Sequence, residues 1–208
     1  MAIPNHSLRY RPVRPGITIV NPNVGKVGTL GFIGTADGQD RWLVSCYHVL
    51  GRIDFSPFND GEPIYQPIDD PQNLIARLST ARADAQLDCA AAKLEAGIQS
   101  TNEVLEQSPL TGINEPIVGM RVLKSGCVTG VTEGIISQVN GDAVEIQTIP
   151  GFPSRYELSQ EGDSGSLWVS SQDNRAVALH RAGNAFGKQI SFAVRLSTIL
   201  TRLNLEPI

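Results

Sequence analysis

Positive charge, aromatic side chains and cysteine are all scarce in this sequence. Lysine and arginine number 17 against 21 aspartates and glutamates, a formal net charge of -4, so the basic footprint that polyanion binding needs is missing. That speaks against nucleic acid and against an anionic membrane surface as partners. No apolar run is long enough to span a bilayer, and the first residues, Met1 to Tyr10, lack the hydrophobic core of a secretory leader. Three cysteines, an odd number without framework spacing, suit a reducing compartment better than a disulfide scaffold. The expectation is a soluble, cytoplasmic protein without a cofactor and without a metal.

Turn formers and short apolar stretches are plentiful, with 20 glycines and 13 prolines in 208 residues. Residues 1–28, punctuated by prolines, read as an extended arm with at most one short strand at Ile17 to Val20. Thr29 to Gly34 and Arg41 to Ser45 read as a hairpin that delivers His48 at its end. The segment from Gly51 to Asp70 reads as irregular, followed by strands at Leu74 to Leu78 and Cys89 to Leu94. The alanine run inside the latter also has helical propensity, but its length and flanking turns favour a buried strand. Beyond a polar connector, strands are expected at Met120 to Lys124 and Val131 to Val139, and Asn140-Gly141 turns the chain into Ala143 to Ile149. Ser166 to Ser170, Ala176 to His180 and Ile190 to Val194 complete the strands, and the apolar spacing of Leu196, Ile199, Leu200 and Leu203 predicts a closing helix. Many short strands imply an all-β sandwich or barrel. The division expected is an arm over 1–28, a first unit over 29–105 and a second over 106–208.

The stretch Glu161-Gly162-Asp163-Ser164-Gly165-Ser166 carries the chemistry. Glycines on both sides of Ser164 give the turn unusual torsional freedom, and the N–H groups of Gly162 and Ser164 can converge on one oxyanion. The same residues also make an ordinary turn ahead of a strand. A serine hydroxyl needs a base, and the chain offers only His6, His48 and His180. His6 lies in the proline-rich arm, a poor place for a group that must be held accurately. His48 on its own reads as a hydrogen-bonded core residue. Asp88, between Leu87 and an apolar strand, is a carboxylate about to be buried that needs a partner; a strand-cap role and competition from Asp84 are the alternatives. The order His48, Asp88, Ser164, each at a strand edge, assembles a base, an orienting acid and a nucleophile.

Ser-Cys-Tyr-His-Val-Leu50, Leu-Asp-Cys-Ala-Ala-Ala-Lys-Leu94 and Gly-Asp-Ser-Gly-Ser166 resemble the signature blocks of the trypsin/chymotrypsin-like serine peptidases. Lys124 to Gly134, Ala178 to Gly183 and Phe192 to Leu200 resemble the narrow-leaf-type bacterial and plant members. The resemblance implies two antiparallel six-stranded β-barrels with a C-terminal helix, and an active site between them. It implies an endopeptidase acting on protein or peptide substrates. In it Ser164 attacks, His48 transfers the proton, Asp88 orients His48, and the Gly162 and Ser164 N–H groups hold the oxyanion. A binding scaffold without turnover and an esterase-like hydrolase are the alternatives from other classes.

Two features depart from the animal enzymes. No cysteine closely follows His48, so Cys46 and Cys89 are expected as packed thiols, with a disulfide or a metal site including His48 as alternatives. The Ile-Val-Gly-Gly-like start is missing, so Asp163 needs another partner, with Arg9, Arg11, Arg14 or Arg181 as candidates, and an activating protein partner is a further expectation. The substrate pocket implied is lined by Leu158, Ser159, Glu161, His180, Arg181 and Gly183. Ser159 with His180 would favour an acidic side chain, Glu161 a basic one, and simple packing of Leu158 and His180 a small or apolar one.

Overall fold

The computed structural model describes residues 6–153, 156–183 and 189–208. Strands dominate it and fall into two sheets. In the first are β1 (Thr18–Val20), β2 (Val27–Thr29), β3 (Phe32–Ala36), β4 (Asp40–Ser45), β5 (Pro63–Tyr65), β6 (Leu74–Asp84) and β7 (Cys89–Leu94). Residues 27–36 pair with β1 through β2 and with β4 through β3, so the continuous chain closes this sheet into a six-stranded ring. The alanine run is a strand between β4 and β6, and Ala90, Ala91 and Ala92 are all fully buried. Short side chains let the barrel wall and its packing approach closely there.

The second sheet contains β8 (Gly112–Ile113), β9 (Arg121–Gly126), β10 (Gly130–Asn140), β11 (Ala143–Gln147), β12 (Leu167–Ser170), β13 (Arg175–Gly183) and β14 (Ile190–Arg195). β9 to β14 form a closed six-strand barrel through the β12 to β13 pairing, and β8 lies outside it, parallel to β13. Asn140 faces Ala143 across a two-residue loop in which Gly141 takes φ 58°, the torsion that makes Asn-Gly a hairpin signal. A four-residue helix α1 (Tyr47–Leu50) ends β4, and α2 (Leu196–Leu203) follows β14.

The helix buries Leu196, Ile199, Leu200 and Leu203, the face its spacing predicts, in the core cluster it shares with the first barrel. A final strand β15 (Glu206–Pro207) then pairs with β3. The C-terminus therefore fastens the second barrel onto the first, and burying those four side chains supplies about 1.5–3 kcal/mol each before entropic costs.

Residues 6–28, the described part of the stretch expected as an extended arm, are built into the first barrel. Along it Val13 is fully buried, β1 and β2 both belong to the sheet, and His6 is 1% exposed with Nε2 2.9 Å from Ser125 Oγ. Proline density hid this, because Pro12 and Pro15 remove donors and break periodicity without preventing burial of the residues between them. The segment read as irregular contains β5, which carries its proline at the first position, where a missing N–H is tolerated.

Candidate active site

His48 sits in α1 directly after β4, and Asp88 directly before β7, two neighbouring strands of one ladder. This brings the Asp88 carboxylate under the imidazole: His48 Nδ1 lies 2.8 Å from Oδ2 and 3.0 Å from Oδ1, and the His48 N–H donates to Oδ1 at 3.1 Å. Asp88 is 1% exposed and takes φ 57°, an uncommon torsion for a residue with a side chain and a frequent mark of functional sites. The competing Asp84 is occupied elsewhere, bonded to the Leu87 N–H at 2.8 Å and to Arg202. A proton on Nδ1 has the Asp88 carboxylate as its acceptor, and that tautomer leaves the Nε2 lone pair free.

Ser164 comes from the other barrel, in the turn ahead of β12. Together with His48, Gly162, Glu161, Lys26, Val24, Val27, Val49 and Ile53 it lines a cavity of about 200 Å³. Its hydroxyl donates to the Arg181 carbonyl at 3.1 Å. Catalytic hydrogen bonds are often unformed without substrate, so this resting contact is compatible with a nucleophile waiting to turn toward its base. Among the described residues, the N–H groups of Gly162 and Ser164 have no backbone acceptor. Their carbonyls are held on the opposite side: Thr29 Oγ1 donates to Gly162 O at 2.9 Å and the Thr29 N–H to Ser164 O at 2.9 Å. The two donors are thus left for an incoming oxygen. Gly165 takes φ 90°, and a side chain there would collide with Ser45 Oγ and Thr29 O, so the turn admits only glycine.

Behind the turn lies an ion pair that the sequence reading missed. Lys124 Nζ is 2.9 Å from Asp163 Oδ2, and both side chains are completely buried. The partner of Asp163 is therefore neither Arg181 nor an arginine of the N-terminal stretch; Arg14 pairs with Glu103 and Arg181 with Asp88. Asp163 also accepts from Thr129 Oγ1 at 2.6 Å, from the Gln160 N–H at 3.0 Å and from the Val128 N–H at 3.0 Å. Burial pushes its carboxyl up, but the Lys124 ammonium and these donors outweigh it and hold the group down at about 2. The available signal was a lysine inside the otherwise apolar strand Val122-Leu-Lys-Ser-Gly126.

The predicted pocket residues divide sharply. Leu158, Ser159 and His180 are buried, at 0, 2 and 1% exposure, whereas Arg181 and Gly183 are exposed on the last residues of β13. Ser159 Oγ is bonded to Ser191 Oγ at 3.0 Å, and the His180 ring packs edge-on to Trp168 with its centroid 6.1 Å away. Burial, with Lys124 nearby, drives the His180 pKa down to about 3, so this ring is neutral. Glu161 pairs with Lys26, and both line the cavity they share with His48 and Ser164. Cys46, Cys89 and Cys127 are free thiols, so no Cys46–Cys89 disulfide forms. Cys46 Sγ, His48 and Asp88 do place their ligand atoms within 4.8 Å of one another. Cys46 Sγ is already engaged with the His180 carbonyl at 3.1 Å, and both Asp88 oxygens are engaged by His48. Among the described residues no helix is long and apolar enough to cross a membrane.

No family model matches the sequence, and a comparison with curated proteins finds no match. Solved structures do match. A glutamic acid-specific serine protease described as using a histidine triad in substrate binding aligns with TM-score 0.72 at 16% identity, over 94% of this chain and 100% of the other. The Nocardiopsis protease aligns with TM-score 0.68 at 18% identity over 93% and 98%, and the Cellulomonas bogoriensis chymotrypsin with TM-score 0.68 at 17% identity over 94% and 98%. The fold is therefore the chymotrypsin-like double barrel of the serine proteases, matched along nearly its whole length. His48, Asp88 and Ser164 stand at the junction of its two halves, in the arrangement described above.

Proposed function

We propose that the protein is a serine endopeptidase that cleaves peptide bonds through an acyl-enzyme intermediate. The observation that carries the reading is the Nδ1–Asp88 pairing of His48 at 2.8 Å, in a residue that shares one cavity with Ser164. Ser164 Oγ attacks the scissile carbonyl while His48 Nε2 accepts its proton. The buried Asp88 carboxylate fixes the imidazole tautomer and stabilises the imidazolium. The Gly162 and Ser164 N–H groups receive the oxyanion, and His48 returns the proton to the leaving amine. Water then attacks the acyl-enzyme by the reverse sequence, with His48 again as base.

The Lys124–Asp163 pair supports a constitutively assembled enzyme, because an internal ammonium already holds the residue next to Ser164. On this reading the activating partner considered from sequence is not needed. The pocket residues favour a small or apolar side chain at the cleaved bond. A neutral, buried His180 brings no positive charge to an acidic side chain, and Glu161 is neutralised by Lys26. The other two histidines, His6 and His48, are engaged with Ser125 and Asp88. The three free thiols support the expected reducing compartment.

Digestion of a denatured protein substrate by the wild type and by Ser164→Ala, with the cut sites read by mass spectrometry, tests the reading. Cleavage by the wild type alone supports it. Turnover of esters but not peptides would replace it with an esterase, and no turnover of either would favour a scaffold.

A further inference from the structure

The geometry points to Arg181 as a recognition site for an acidic side chain of the peptide substrate, built directly onto the aspartate of the triad; the inference rests on the endopeptidase reading above. Arg181 Nε lies 3.3 Å from Asp88 Oδ2, the same oxygen that is 2.8 Å from His48 Nδ1. The Arg181 carbonyl accepts the Ser164 hydroxyl at 3.1 Å. One residue therefore touches both the acid and the nucleophile, and a substrate bound at Ser164 must pass beside it.

The guanidinium is only partly used. Its side chain is 45% exposed, against 1% for Asp88, and among the described residues Asp88 is its one ion-pair partner, reached through Nε. A guanidinium carries five N–H donors in a rigid fork, so the terminal amino groups remain for a second carboxylate. Arg181 also lines an open groove of about 400 Å³ with Leu87, Val144, Phe192 and Val194. Such a groove accepts the aliphatic stem of a glutamate while its head reaches the arginine.

Two acids, Asp142 and Glu145, line the same groove, each bonded to a hydroxyl: Thr198 at 2.7 Å and Ser137 at 2.7 Å. Their charges repel a substrate carboxylate from their part of the wall, which leaves the Arg181 end as its favourable position. Asp88 is shared between two cations, His48 when protonated and Arg181. A substrate carboxylate on the outer edge of Arg181 neutralises the second cation and leaves more of the Asp88 field to the imidazolium formed during attack. Acidic substrates should therefore gain in kcat as well as in binding. The site is half in solvent, so the gain is modest and falls with salt.

The test compares peptides that are identical except for glutamate or glutamine, scanned over the three positions on either side of the cut bond. Wild type is expected to prefer glutamate at one position by about fivefold to tenfold in kcat/KM at low ionic strength, and less at 0.5 M salt. The ratio should fall to about one in Arg181→Gln, persist in Arg181→Lys, and drop below one in Arg181→Glu. Each ratio is taken within one variant, so a general loss of activity or stability cancels. The same peptide pairs are titrated calorimetrically against Ser164→Ala with and without Arg181→Gln, which reads the subsite without turnover. Equal ratios in wild type and Arg181→Gln, in both kinetics and binding, overturn the inference. Absence of turnover with the binding preference intact would instead count against the endopeptidase reading and leave the subsite standing.

Discussion

Lys124 and Asp163 form a fully buried ion pair, 2.9 Å apart, directly behind the turn that carries Ser164. A buried ammonium is costly unless paired and hydrogen-bonded, and here it also contacts Thr129 Oγ1 at 2.8 Å and faces the Trp168 ring at 5.8 Å. Asp163 and Ser164 are adjacent in the chain, so the pair fixes the backbone from which the Gly162 and Ser164 N–H groups project.

Removing one partner leaves a buried charge unopposed. Lys124→Met should destabilise the fold by about 3–5 kcal/mol in urea titration and abolish peptidase activity. The double variant Lys124→Met with Asp163→Asn should recover much of the stability and little of the activity, because the turn loses its anchor even where no charge is stranded.

Two buried groups beside the Ser164 turn contribute to the acid limit, together with the Arg52-paired Glu62, which is also held at about 2. The carboxyl of Asp163 is held at about 2, so its stabilisation is complete above the unfolded value near 4 and is lost as pH falls toward 2. His180, depressed to about 3, stays neutral in the fold while the unfolded chain takes up a proton below about 6.5. The unfolded state thus binds more protons between those values, and stability should already decline from about pH 6 downward. Replacing His180 with glutamine should flatten the slope of the melting temperature between pH 6 and 4 and leave the steeper fall below pH 4.

Asp88→Asn keeps the shape of the site and loses the anion. The amide no longer holds the imidazole in the tautomer that presents a basic Nε2, and kcat should drop by about 10⁴ with KM little changed. Circular dichroism of the variant should match wild type.

Thr29 joins the first barrel to the Ser164 turn through its hydroxyl, which donates to Gly162 O at 2.9 Å and accepts from the Cys127 N–H at 3.0 Å. Thr29→Val preserves the shape but strands the Cys127 N–H and leaves Gly162 O only its contact from Cys127 Sγ at 3.0 Å, at a cost of about 1–3 kcal/mol. Activity should fall further than the stability loss explains, seen as a lower kcat at temperatures where the variant is fully folded.

The thiols should be inert in the folded protein. Burial raises all three, most clearly Cys46, which also faces Asp88, and Cys89, pushed up to about 12. Iodoacetamide at pH 8 is expected to modify the native protein slowly and to modify three cysteines in urea, and reductant should leave activity unchanged.

Most strand positions, the buried alanine strand and the closing helix were legible because they rest on local signals: alternation, turn residues and the spacing of Leu196, Ile199, Leu200 and Leu203. His48, Asp88 and Ser164 were legible as residue types in an order, and the structure adds their surroundings. What stayed hidden depends on partners far apart in the chain. Lys124 and Asp163 are joined across 39 positions, Thr29 reaches Gly162 across 133, and Arg181 meets Asp88 only where two barrels touch. The N-terminal stretch was misjudged for a related reason: its prolines conceal periodicity, while its burial is decided by β5 and β2 beside β1.

The central claim is that Ser164 is a nucleophile activated by His48, and covalent labelling reaches it most directly. A fluorophosphonate should modify the folded wild type stoichiometrically at Ser164, and neither Ser164→Ala nor His48→Ala should be labelled, with Asp88→Asn labelled far more slowly. A wild type that is folded by circular dichroism yet unlabelled, or labelling that survives in His48→Ala at the wild-type rate, would contradict the account.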